Sequence, residues 1–268
     1  MLGKLMKYEW KATWKLLLPM NAFIVLMSIL VYITVQMSFF DSDNHLVEMT
    51  GTAIVFTYIL SMFVIYIGTI IYLIYRFYTS VYGDEGYLLH TLPMDKHHII
   101  IAKTLTSTAW VIINSIVITV SVLFVFSSTQ TEFMELMAGV FEFYIDILND
   151  YGTITGFSIL MTVIASLISA FARILKIFAC ASLGQLASNH KLLASFGFYY
   201  GIYIVQQLFE MIFLAILGLV YKSVDYDVFT LFGMVGTGWE YTLISGLIYC
   251  ALFYFLTWYM MDKKLNLD

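Results

Sequence analysis

Six stretches of the chain, roughly 16–39, 52–75, 104–127, 153–172, 193–220 and 241–261, are apolar for about the length a helix needs to cross a bilayer. A hydrocarbon core about 30 Å thick takes roughly 20 residues at 1.5 Å each. Inside it every backbone amide and carbonyl must be hydrogen-bonded within the protein, which leaves helices or closed barrels. The apolar–polar alternation of barrel strands is absent, so these runs are helices. Composition agrees. Hydrophobic residues make up 61% of the chain and charged residues only 12%, against about a quarter charged in a soluble domain. The expected fold class is all-α integral membrane, a single transmembrane domain over 1–268 with six spans.

Basic residues set the expected orientation. Lys4, Lys7, Lys11 and Lys15 precede the first span, and Arg76, Lys96 and Lys103 fall between spans two and three. Arg173, Lys176 and Lys191 fall between spans four and five, and Lys263 and Lys264 follow the last. Only Lys222 lies opposite, among acids such as Asp41, Asp43, Glu48, Asp146, Asp150 and Asp225. The positive-inside rule then puts both termini in the cytoplasm. The apolar run from Leu16 to Phe40 is too long for a cleaved signal segment and reads as an uncleaved first span.

Three further segments look interfacial. Over residues 1–15 the four lysines form a stripe opposite Leu2, Leu5, Met6 and Trp10, the pattern of a helix lying in the cytoplasmic interface. Residues 132–148 set Phe133, Met137, Val140, Phe141, Tyr144 and Leu148 against Glu132, Glu135, Glu142 and Asp146, which predicts an outer amphipathic helix. Residues 222–240 carry Gly233, Gly236 and Gly238 among apolar side chains and read as a short re-entrant or interfacial turn.

No catalytic constellation is present. There is no G-x-x-x-x-G-K-[ST] phosphate loop, no H-E-x-x-H and no G-x-S-x-G. His97 and His98 are adjacent and point apart on a helix, so the histidines read as ordinary loop residues and no metal is expected. Cys180 and Cys250 read as small buried hydrophobes. Glu210 is the one acid well inside a span, with Gln206 one turn before it and Gln207 beside it. An ionisable group at that depth faces the bundle interior or a wet cavity, so Gln206, Gln207 and Glu210 are either a substrate pathway or a hydrogen-bonded structural cluster. Gly152-x-x-x-Gly156 and Gly197-x-x-x-Gly201 offer close helix approach within the bundle or at a dimer seam.

The loop from Arg76 to Lys103 carries the sharpest signal. It contains Asp84-Glu85-Gly86-Tyr87-Leu88-Leu89-His90-Thr91-Leu92-Pro93. Pro93 holds Leu92 extended and ends any helix before it, while Tyr87, Leu88 and Leu89 require burial, inside the protein or against a partner. This loop, with Lys103 opening the third span and Ser182-Leu183-Gly184-Gln185-Leu186-Ala187 followed by His190-Lys191, resembles the small six-helix permeases of bacterial type-2 ABC exporters.

The resemblance implies a transport subunit of the bacterial plasma membrane, not an enzyme. Two copies of a separate ABC ATPase subunit would hold the ATP and Mg, and the permease would pair with a second copy or a paralogue. It implies that Asp84 to Pro93 form a coupling loop seated on the ATPase. The cargo would be an amphipathic peptide, of the antimicrobial or phenol-soluble-modulin kind, or another membrane-soluble substrate. The bilayer is a partner and nucleic acid is not. Two other readings compete: an ion-coupled secondary transporter using Glu210, and a non-transporting scaffold or immunity protein.

Overall fold

The computed structural model describes residues 2–37, 39, 44–83, 85–86, 95–128, 130–187, 191–221 and 228–263; the side chains of Leu192 and of most residues in 130–155 and 214–238 lie outside that description. The described residues form six helices: α1 (Leu2–Gln36), α2 (His45–Val81), α3 (Lys96–Phe126), α4 (Gln130–Gly184), α5 (Lys191–Tyr221) and α6 (Val228–Lys263). No strand occurs among them. Five helices contain stretches long and apolar enough to cross a membrane: α1, α2, α3, the Gly156–Gly184 part of α4 and the Trp239–Lys263 part of α6. This is the architecture of a helical membrane protein.

The helices outrun the bilayer. α2 has 37 residues, about 55 Å of helix against a core of about 30 Å. Segments expected as loops are therefore helical. Arg76 belongs to α2, Lys96 and Lys103 to α3, and Arg173 and Lys176 to α4. The sequence reading ended each span where charge appears; backbone hydrogen bonding continues past that point because nothing there breaks it.

The separate interfacial helices are corrected for the same reason. Residues 2–15 run into the first span within α1. Pro19 sits inside that helix, and its missing amide forfeits one bond without ending it. The basic stripe survives, with Lys4, Lys7, Lys11 and Lys15 all exposed. Trp10, however, stacks on Trp110 of α3 at 4.8 Å, and Trp110 Nε1 donates to Thr13 Oγ1 at 2.8 Å. Residues 132–148 are part of α4, and 228–240 are part of α6 rather than a turn. Glycine costs about 1 kcal/mol per helical position, which Gly233, Gly236 and Gly238 do not turn into a break.

The chain divides into two compact units. Unit 1, Met1–Leu73 with Leu105–Thr155, packs Ile24, Met27 and Val31 of α1 against Tyr58 and Ile65 of α2. Polar cross-links run through it: Tyr58 Oη lies 3.0 Å from Ser121 Oγ, and Asn114 Nδ2 donates to Thr69 Oγ1 at 2.6 Å. Unit 2, Ile74–Thr104 with Gly156–Asp268, has a core along the end of α4, where Ile174, Leu175, Ile177, Phe178, Ala179, Cys180 and Ala181 are all buried. Phe178 lies flat on Phe77 of α2, ring centroids 3.9 Å apart.

Glycine makes close approaches where sequence spacing did not point. A Cβ on Gly184 would overlap Ser195 Oγ and sit 2.7 Å from Lys191 O. Gly156, Gly197 and Gly201 have nothing within 4 Å of that position. The described glycines of the two G-x-x-x-G motifs thus do not make the close packing within the bundle that their spacing offered.

Candidate functional site

The end of α2 enters the expected coupling loop through a braced turn. Arg76 Nη1 donates to both carboxylate oxygens of Glu85, at 3.0 and 3.2 Å, and Gly86 N donates to Gly83 O at 2.8 Å. A Cβ on Gly86 would overlap Val81 O and lie 2.6 Å from Val81 C. Backbone cannot retreat as a flexible side chain can, so only glycine fits. Tyr82 is buried and meets Phe77 edge to face at 6.2 Å; burial pushes its phenol up to about 12. Of the ten expected loop residues, Glu85 and Gly86 are described, with Glu85 exposed and Gly86 buried. Asp84 and Tyr87, Leu88, Leu89, His90, Thr91, Leu92 and Pro93 lie outside the described residues.

The return from that loop is anchored as firmly. Lys96 donates to Asp262 Oδ1 at 2.9 Å, and His97 Nδ1 lies 2.6 Å from Tyr254 Oη while its ring stacks beside Trp258. Lys103 is buried and donates to Ser80 Oγ at 2.5 Å, and Ser80 donates to Arg76 O at 2.7 Å. These residues read in the sequence as a loose basic loop. Here they tie α3 to α6 and to α2.

The second site lies between α4, α5 and α6 within unit 2, a cavity of about 650 Å³. Gln206, Gln207 and Glu210, grouped by sequence, all line it. Gln207 Nε2 donates to Glu210 Oε2 at 3.3 Å. Gln206 turns instead to Lys176, whose Nζ donates to Gln206 Oε1 at 2.8 Å. That ammonium also lies 4.9 Å from the Tyr199 ring centroid and 5.7 Å from that of Tyr203. Lys176 and Arg173 both line the cavity and were missed as site residues. Their sequence signal was their i, i+3 spacing on a continuing helix, which the reading of Arg173 to Lys191 as loop concealed. Among the described residues no group of three His, Cys, Asp or Glu side chains is arranged to hold a metal.

No family model, no curated protein and no solved structure matches the chain. The functional reading therefore rests on the residues and their geometry.

Proposed function

We propose that this chain is the membrane-spanning permease subunit of an ATP-driven exporter of the bacterial plasma membrane, working with a separate ATPase and a second permease. The observation that carries the reading is the braced α2–α3 hairpin base. Helices too long for the bilayer end in a turn held by Arg76–Glu85 and Gly86, and their start and finish are locked to α4 and α6 by Phe77–Phe178 and Lys96–Asp262. A force delivered at Glu85 and Gly86 would reach the spans through Arg76, Phe77 and the end of α2. The positive-inside rule puts this end, with Lys96, Lys103, Lys176 and Lys191, in the cytoplasm, where an ATPase is found.

The cavity favours a second reading, an ion-coupled transporter in which Glu210 carries the coupling ion, because Glu210 lines a cavity that it shares with Lys176, Gln206 and Gln207. The two differ in energy source.

Co-purification of the tagged full-length chain from its own membranes tests the first. A captured soluble chain with a G-x-x-x-x-G-K-[ST] sequence, lost on Leu88→Asp while the permease stays monodisperse, is the expected result. Capture of no such ATPase, with export abolished by collapse of the ion gradient, would establish the second.

A further inference from the structure

We propose that the unit 2 cavity binds the phosphate-bearing headgroup of a membrane phospholipid, with Lys176 and Arg173 as the phosphate ligands. This goes beyond the exporter reading and needs no ATPase.

Lys176 is 7% exposed. Its ammonium has three donors; Gln206 Oε1 takes one, and the two tyrosine rings face it without accepting a conventional bond. Among the described residues no carboxylate is within ion-pairing distance of it. Glu210, across the cavity, attracts this ammonium only from beyond contact distance; burying an ammonium with no anion against it is costly, so the site is suited to receive one. Arg173, one turn earlier on α4, lines the same cavity and likewise has no carboxylate partner among the described residues. A guanidinium fork matches phosphate oxygens two at a time. Against these two cations the lining has one acid, Glu210, so the chamber carries an excess of positive charge.

Volume separates a headgroup from a peptide. About 650 Å³ lies within the usual range of small-ligand sites, roughly 300–1,000 Å³. A helical peptide 10–12 Å across would place only about one turn there. A glycerophosphate headgroup fits whole. Its acyl chains have somewhere to go, since Ile204, Leu208 and Met211, beside the lining residues of α5, are apolar and exposed. Trp239, Tyr241 and Tyr249 supply walls with an apolar body and a polar tip.

The test uses the purified full-length chain in detergent, titrated with short-chain phosphatidylglycerol, the matching diacylglycerol and inorganic phosphate, and read by native mass spectrometry. Phosphatidylglycerol is expected to bind more tightly than either of the other two. Lys176→Gln and Arg173→Gln should each weaken it by roughly ten- to hundredfold, the loss of one charged hydrogen bond. Glu210→Gln should tighten it severalfold by removing a repelling charge, which a merely structural role would not do. Arg173 is exposed, so its variant carries the test if Lys176→Gln fails to fold. Equal binding of diacylglycerol, phosphate that competes as well as the lipid, or wild-type affinity in Arg173→Gln would overturn the proposal. So would an amphipathic helical peptide that displaces the lipid and itself loses affinity in Arg173→Gln. No ATPase is present, so failure here is separate from failure to capture one.

Discussion

Arg76 and Glu85 form an ion pair in which one guanidinium nitrogen reaches both carboxylate oxygens, nine residues apart across the turn that leaves α2. Glu85 is well exposed, with 59% of its side chain accessible. Pairs of this kind contribute about 0–1 kcal/mol to stability, too little to explain the arrangement as a fold-holding device. Its effect is local: it ties the end of α2 to the turn at Gly83–Gly86. Glu85→Gln should therefore leave the melting temperature within a few degrees of wild type while, under the exporter proposal, export falls severalfold. The charge swap Arg76→Glu with Glu85→Arg should recover part of the loss, since it restores the pair. Thermal melts and vesicle transport on the same preparations check this.

Gly86 and Gly3 make a matched pair. A Cβ at Gly86 meets the Val81 backbone, whereas one at Gly3 meets nothing within 4 Å. Gly86→Ala is expected to shift the turn and cost about 1–3 kcal/mol, and under the exporter proposal to lose ATPase capture. Gly3→Ala should be silent in both. Differential scanning fluorimetry with co-purification reads the two effects separately.

The stacked rings of Phe77 and Phe178 are almost wholly buried, at 2% and 1% exposure. Phe178→Ala leaves a cavity in the buried core of unit 2, and large-to-small aromatic changes cost about 3–5 kcal/mol. The melting temperature should fall sharply; Phe178→Leu should recover much of it. Denaturation in mild detergent measures both.

Tyr82 gives a pH dependence with a definite sign. Burial raises its phenol to about 12, above the usual value near 10. The neutral form is the one the fold accommodates, so the stability it contributes is intact below pH 10 and is lost as pH rises from 10 towards 12. The difference amounts to roughly 2–3 kcal/mol. Tyr82→Phe should reduce the drop in melting temperature between pH 9.5 and 11.5 relative to wild type.

Five of the six expected spans fall in helices long and apolar enough to cross a membrane, the stretch 193–220 in α5 not being among them; they were legible because twenty apolar residues in a row admit one solution in lipid. Gln206, Gln207 and Glu210 were legible too, since polar groups amid hydrocarbon must share a cavity, and they do line one. Lys103 and Lys176 were not. Lys103 precedes an apolar span and Lys176 follows one, and hydropathy cannot separate a lysine in a loop from one inside a helix that continues beyond the membrane. What decides it is a partner, Ser80 for one and Gln206 for the other, distant in sequence. The glycine contacts failed similarly: spacing of four marks a possible face, but only the neighbouring helix determines whether it is used. Gly184 stands alone in sequence and is packed, while Gly197 and Gly201 are paired and open.

The most direct test of the permease account is a photo-crosslinking amino acid placed at Leu88, with Glu142 as the control position, in cells carrying the full-length chain. The account predicts an adduct from position 88 to a soluble ATPase with a Walker phosphate loop, intensified or shifted on addition of ATP, and none from position 142. Crosslinks from position 88 that contain only lipid or the chain itself, in cells where export proceeds, would contradict it.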